Sequence, residues 1–67
     1  MKLTFEFGNQ RFTAEIAHES IWLIVGGVST PLAMQYDSQG RRYAYLTSGN
    51  KTSYKEVRIY SNGEVYY

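Results

Sequence analysis

The chain has no cysteine, so no disulfide can staple it, and cysteine-based zinc or redox chemistry is excluded. Its single histidine, His18, leaves no histidine cluster to hold a metal within one chain. His18, Glu19 and Ser20 have the residue types of a catalytic triad, but neighbours in sequence point their side chains apart, and triad members meet through the fold. Gly26 and Gly27 are followed by neither a Lys-Ser/Thr pair nor a helical pattern, so they form no phosphate cradle. The carboxylates are scattered, and Glu6 and Glu15 face basic partners in the hairpin derived below, so they read as surface charges. These absences point away from an enzyme and imply no catalytic residue, no metal and no cofactor.

Long apolar runs are missing too. The longest, residues 21–25, is far too short to span a bilayer, and the opening MKLTFEFGNQ carries charge where a secretory signal needs an apolar stretch. The expectation is a cytoplasmic protein with no membrane partner. Seven basic against six acidic side chains give a net charge of +1, without the basic excess that drives non-specific binding to nucleic acid or anionic lipid.

What the chain does have is alternation. Its 67 residues make one domain, residues 1–67, which buries only about 60% of its unfolded surface, so a second copy is a natural source of extra stability. Leu3, Phe5 and Phe7, then Phe12, Ala14 and Ile16, recur at the two-residue period of a strand. Gly8 and Asn9 between them suit a two-residue turn of type I′ or II′, because both tolerate positive φ. That turn sets Phe5 opposite Phe12 and Leu3 opposite Ala14 on one face, with Lys2–Glu15, Glu6–Arg11 and Thr4–Thr13 on the other. A slip of one residue would put Phe5 on the charged face.

Residues 14–24 also admit a short helix, and with it an α+β fold, since Ala14, Glu15, Ala17 and Glu19 are compatible with one. The first hairpin already claims residues up to Ile16, which favours a turn at His18, Glu19 and Ser20 and then a new strand. Gly26 and Gly27 close a second hairpin, with Ile21 opposite Leu32, Leu23 opposite Thr30 and Val25 opposite Val28. Pro31 has no N–H to give, so the strand after the glycines is bent there or lies at an edge.

Ser38-Gln39-Gly40 and Ser61-Asn62-Gly63 are three-residue loops ending on glycine. The first sets Asp37 opposite Arg41, Met34 opposite Ala44 and Leu32 opposite Leu46; the second sets Ile59 opposite Val65 and Val57 opposite Tyr67. Residues 47–53, TSGNKTS, read as a loop, and the glycosylation-like Asn50-Lys51-Thr52 within it reads as a polar turn. The expected fold is all-β: a small antiparallel meander of six or seven strands, as a bent sheet or a partly closed barrel.

Alternation then divides the tyrosines. With Leu32, Met34, Ala44 and Leu46 inward, Tyr43 and Tyr45 point outward on the side of Trp22 and Ile24, while Tyr36 and Tyr67 turn inward. Arg58, Tyr60 and Tyr66 follow outward in the last hairpin, with Arg41 and Arg42 nearby. The candidate partner-binding residues are therefore Tyr43, Tyr45, Tyr60, Tyr66, Arg41, Arg42, Arg58 and Trp22. Tyrosines also cover sheets simply because they are strong strand formers, and on that reading these rings are a packed layer. On the functional reading, tyrosine and arginine are the residues that dominate protein interfaces.

Three functions fit such a face. The preferred one is a non-enzymatic protein-binding module, a small regulator or inhibitor of a larger protein, of the kind phages and mobile elements encode. The second is a small β-barrel binding single-stranded nucleic acid, stacking bases on the rings beside Arg41, Arg42, Lys55 and Arg58. The third is a homo-oligomeric structural subunit joined through sheet edges. Glu56 and Glu64 share the proposed face, and from residue 34 onward five basic residues meet three acidic ones, which disfavours the second. Tyr43→Ala and Tyr60→Ala are expected to spare the fold, whereas Phe5→Ala and Leu23→Ala remove core.

Overall fold

A computed structural model of the protein describes residues 1–49 and 52–67. These are organised as eight strands: β1 (Lys2–Phe7), β2 (Gln10–Ala17), β3 (Ser20–Val25), β4 (Val28–Pro31), β5 (Gln35–Tyr36), β6 (Arg42–Ser48), β7 (Lys55–Tyr60) and β8 (Val65–Tyr66). They form two antiparallel four-stranded meanders, β1-β2-β3-β4 and β5-β6-β7-β8. Among the described residues no ladder joins β1 to β8 or β4 to β5, so the sheets are not closed into a barrel.

The first hairpin has every expected pair, from Lys2 opposite Glu15 to Glu6 opposite Arg11. Gly8 (φ 61°) and Asn9 (φ 64°) both take the left-handed conformation that a type I′ turn requires. The turn between β2 and β3 has the same form but no glycine: His18 sits at φ 53° and Glu19 at φ 65°, and Ser20 already belongs to β3. The helical alternative for residues 14–24 is thereby overturned. Residues 14–17 and 20–24 are instead parts of the two central strands of the first sheet, where pairing Ala14 with Leu23 and Ile16 with Ile21 buries Ala14, Ile16 and Ile21 together.

The second hairpin also keeps its register, with Leu23 opposite Thr30 and Val25 opposite Val28. Pro31 ends β4, an edge strand, and the Leu32 N–H still donates to the Ile21 carbonyl at 2.9 Å. The chain leaves the extended ladder over residues 32–34, so no ladder joins Leu32 to Leu46 or Met34 to Ala44. The Leu32 and Met34 side chains pack on the core, and pairing with β6 is left to Gln35 and Tyr36 alone. The expected single strand after Gly27 thus becomes two, which lifts the count above six or seven.

In the second sheet, β6 pairs with β7 from Tyr43 opposite Tyr60 to Ser48 opposite Lys55, so Thr47 and Ser48 are strand and not loop. Asn50 and Lys51, with the sequon they begin, lie outside the described residues. Ile59 faces Val65 as expected, but β8 ends at Tyr66 and the Val57–Tyr67 pair is not in the ladder. Tyr36 and Tyr67 are accordingly exposed, at 62% and 75%, and do not turn inward.

The inner faces of the two sheets share one apolar cluster: Phe5, Phe7, Ala14, Ile16 and Ile21 from the first meet Ala44, Val57 and Ile59 from the second. Leu3, Phe12, Leu23, Leu46 and Val65 close its margins. Full burial of each large aliphatic or aromatic side chain contributes about 1.5–3 kcal/mol. The molecule measures 35 × 33 × 16 Å. No helix among the described residues is long and apolar enough to cross a membrane.

Candidate functional site, a tyrosine and arginine face

Because Ala44, Leu46, Val57 and Ile59 supply the core, the alternate residues Tyr43, Tyr45, Arg58 and Tyr60 must stand on the outer face of the second sheet. The ladder sets Tyr43 beside Tyr60, Tyr45 beside Arg58, and Arg58 beside Tyr66. The rings form a continuous row, with centroids 6.4 Å apart for Tyr45–Tyr43, 5.3 Å for Tyr43–Tyr60 and 5.3 Å for Tyr60–Tyr66. The Arg58 guanidinium lies over the Tyr43 ring at 4.4 Å, and that of Arg41 over Tyr60 at 4.8 Å. Stacking of this kind holds a flat cation on a flat ring and fixes both.

One carboxylate ties the row to the fold. Asp37 Oδ1 accepts the backbone N–H groups of Gln39 and Arg41, each at 2.9 Å, which closes the β5–β6 turn. Its Oδ2 accepts Arg41 Nε and the Tyr60 hydroxyl, each at 3.1 Å. These donors hold the Asp37 carboxyl below its usual pKa: the Arg41 backbone N–H leads, desolvation opposes it, and Gln39 N–H, the Tyr60 hydroxyl and the Arg41 side chain assist. At the far end, the Tyr66 hydroxyl donates to Glu64, which raises the tyrosine pKa and lowers that of the carboxyl.

The eight candidate residues do not all meet. Tyr43, Tyr45, Tyr60, Tyr66, Arg41 and Arg58 come together, but Tyr60 is only 5% exposed and serves as an anchor, so the expectation that Tyr60→Ala spares the fold is corrected. Tyr45 and Tyr66 present the accessible rings, at 43% and 46% exposure. Arg42 points to the other side of β6, where its guanidinium lies 5.6 Å from the Tyr36 ring centroid and donates to Glu19 at 3.2 Å. Trp22, flanked by Glu15 and Pro31, stands on the outer face of the first sheet, across the sandwich. The two sheets separate it from the tyrosines that alternation alone had put on the same side.

Tyr54 was missed. Its exposed ring continues the row of side chains on alternate residues of β7, and its hydroxyl donates to Glu56 Oε2 at 3.0 Å. The signal was available, because residues 54, 56, 58 and 60 share one parity. Beside the face, an open cleft of about 520 Å³ runs between three turns, lined by Glu19, Tyr36, Gly40, Arg41, Arg42, Tyr60, Ser61 and Asn62. Each arginine here has a carboxylate partner: Arg41 with Asp37 at 3.1 Å, Arg42 with Glu19 at 3.2 Å and Arg58 with Glu56 at 3.3 Å. The site offers ring faces, hydroxyls and guanidinium edges in a fixed arrangement. No protein-family model matches the chain, and no curated protein and no solved structure matches it significantly.

Proposed function

We propose that the chain is a non-enzymatic protein-binding module that docks on a larger protein through the outer face of its second sheet. The observation that carries this is the row Tyr45–Tyr43–Tyr60–Tyr66, whose outer rings are half exposed while the inner ones are held by Arg41, Arg58 and Asp37. Rings and guanidinium groups already fixed in place lose little side-chain entropy on docking, so more of the buried area counts towards affinity. Tyr45, Tyr54 and Tyr66 are the contact residues on this reading, and Tyr43 and Tyr60 support them.

Single-stranded nucleic acid is a poorer fit to the same surface. Its affinity derives largely from cations that neutralise phosphates, and Arg41, Arg42 and Arg58 are each paired with a carboxylate already. The test is capture by tagged protein from a lysate of the source cells, with and without nuclease. A stoichiometric protein retained after nuclease is the expected result; material lost with nuclease contradicts it.

A further inference from the structure

We propose that β1 is a self-recognition edge: two copies of the chain pair their β1 strands antiparallel, with Thr4 against Thr4 of the second copy on a two-fold axis. This goes beyond docking through the second sheet, and the edge concerned belongs to the first.

The backbone sets which groups are available. Met1 and Ile16 exchange both of their hydrogen bonds, N–H to carbonyl at 2.9 and 2.7 Å. Bonded and non-bonded pairs alternate along an antiparallel ladder, so Leu3, Phe5 and Phe7 spend their N–H and carbonyl groups on β2. Those of Lys2, Thr4 and Glu6 point off the edge. By the same alternation the free side of β4 presents Ser29 and Pro31, since the Leu32 N–H bonds to Ile21, and proline has no donor to offer there. β5 and β8 have two residues each. β1 is therefore the longest edge among the described residues with its donors intact. A groove of about 340 Å³ runs along it, lined by Thr4, Phe5, Glu6, Arg11 and Tyr67, the last 75% exposed at the rim.

The side chains then choose partner and register. Edge strands are commonly protected by charges of one sign, which repel a second copy. Here the signs alternate, Lys2 and Glu6 about Thr4, so an antiparallel copy centred on Thr4 brings Lys2 against Glu6 of the second copy and Glu6 against its Lys2. Within one chain Lys2 already faces Glu15, and Glu6 faces Arg11, paired at 3.1 Å. Each row across the joined sheets thus reads Glu15, Lys2, then Glu6 and Arg11 of the second copy: alternating charge over four strands. The central row is threonine on the same four strands: Thr13, Thr4, then Thr4 and Thr13 of the second copy. A shift of register removes the Lys–Glu pairs, and parallel pairing sets like beside like. The tyrosine faces stay free, so the dimer offers two of them.

The test is sedimentation equilibrium of the full chain from micromolar to millimolar concentration. The mass is expected to climb from 7.7 kDa towards twice that value. Lys2→Glu and Glu6→Lys, each still folded by circular dichroism, are expected to stay monomeric alone and to associate when mixed, because only the mixture restores opposite charges. Thr4→Pro, which removes an N–H that the monomer does not use, is expected to abolish association and keep the fold. A wild-type chain that stays monomeric throughout overturns the proposal, as does association unaffected by the single charge reversals or absent from their mixture.

Discussion

The Tyr60 hydroxyl reaches back 23 residues to donate to the Asp37 carboxylate at 3.1 Å. This bond joins the end of β7 to the turn between β5 and β6, and it makes the central ring of the outer face part of the fold. Tyr60→Ala is expected to cost about 3–5 kcal/mol, the range for a large buried ring, and Tyr60→Phe a smaller fraction of that. Tyr45→Ala, removing an exposed cross-strand contact, is expected to cost less than about 1 kcal/mol. Urea unfolding of the three variants checks the order.

Stability should fall in acid through Asp37. Its folded pKa lies below the usual 3.8, so near that pH the unfolded chain binds more protons than the folded one. The contribution is fully present above 3.8 and is lost as pH drops through the lower folded value. Glu64, held down by the Tyr66 hydroxyl, acts in the same sense. Urea midpoints across the acid range are expected to fall more steeply for the wild type than for Asp37→Asn; equal slopes would count against the clamp.

The core is shared, so loss from either sheet should weaken both. Ile21 in the first sheet and Ile59 in the second are fully buried, and truncation of each to alanine is expected to cost about 2–5 kcal/mol. Chemical unfolding followed by tryptophan fluorescence reports on Trp22, in the first sheet. The Ile59→Ala transition should remain single and shift to lower denaturant by that probe.

The β2–β3 turn holds two residues without glycine at positive φ, His18 at 53° and Glu19 at 65°. Asparagine and glycine suit those positions of a type I′ turn, and a left-handed residue with a Cβ carries a cost of about 1–2 kcal/mol. Replacing the pair by Asn-Gly is expected to raise stability by about 1 kcal/mol, after the entropy of the new glycine and the loss of the exposed Glu19–Arg42 pair. Thermal melts check the sign.

The parts legible in the sequence were those decided locally. Two-residue turns at Gly8-Asn9 and Gly26-Gly27 fix a register, and the chemistry of the opposed pairs leaves only one register consistent. The division of β6 and β7 into inner and outer residues followed from the same period of two. What was hidden depended on the path between sheets. Alternation pairs Leu32 on both sides, with Ile21 and with Leu46, and the break at residues 32–34 keeps only the first. That break also carries Trp22 to the far side from Tyr43 and Tyr45. The anchoring of Tyr60 was hidden for a different reason: its burial comes from flanking rings and the Asp37 side chain, which strand alternation does not reveal.

The most direct test of the docking face compares the affinity of the captured protein for three folded variants: Tyr45→Ala, Tyr66→Ala and Trp22→Ala. Loss of about tenfold or more at each tyrosine, with Trp22→Ala near wild type, is the expected result for rings that anchor an interface. Unchanged binding by both tyrosine variants, or a larger loss at Trp22, would contradict it and move the docking surface to the other sheet.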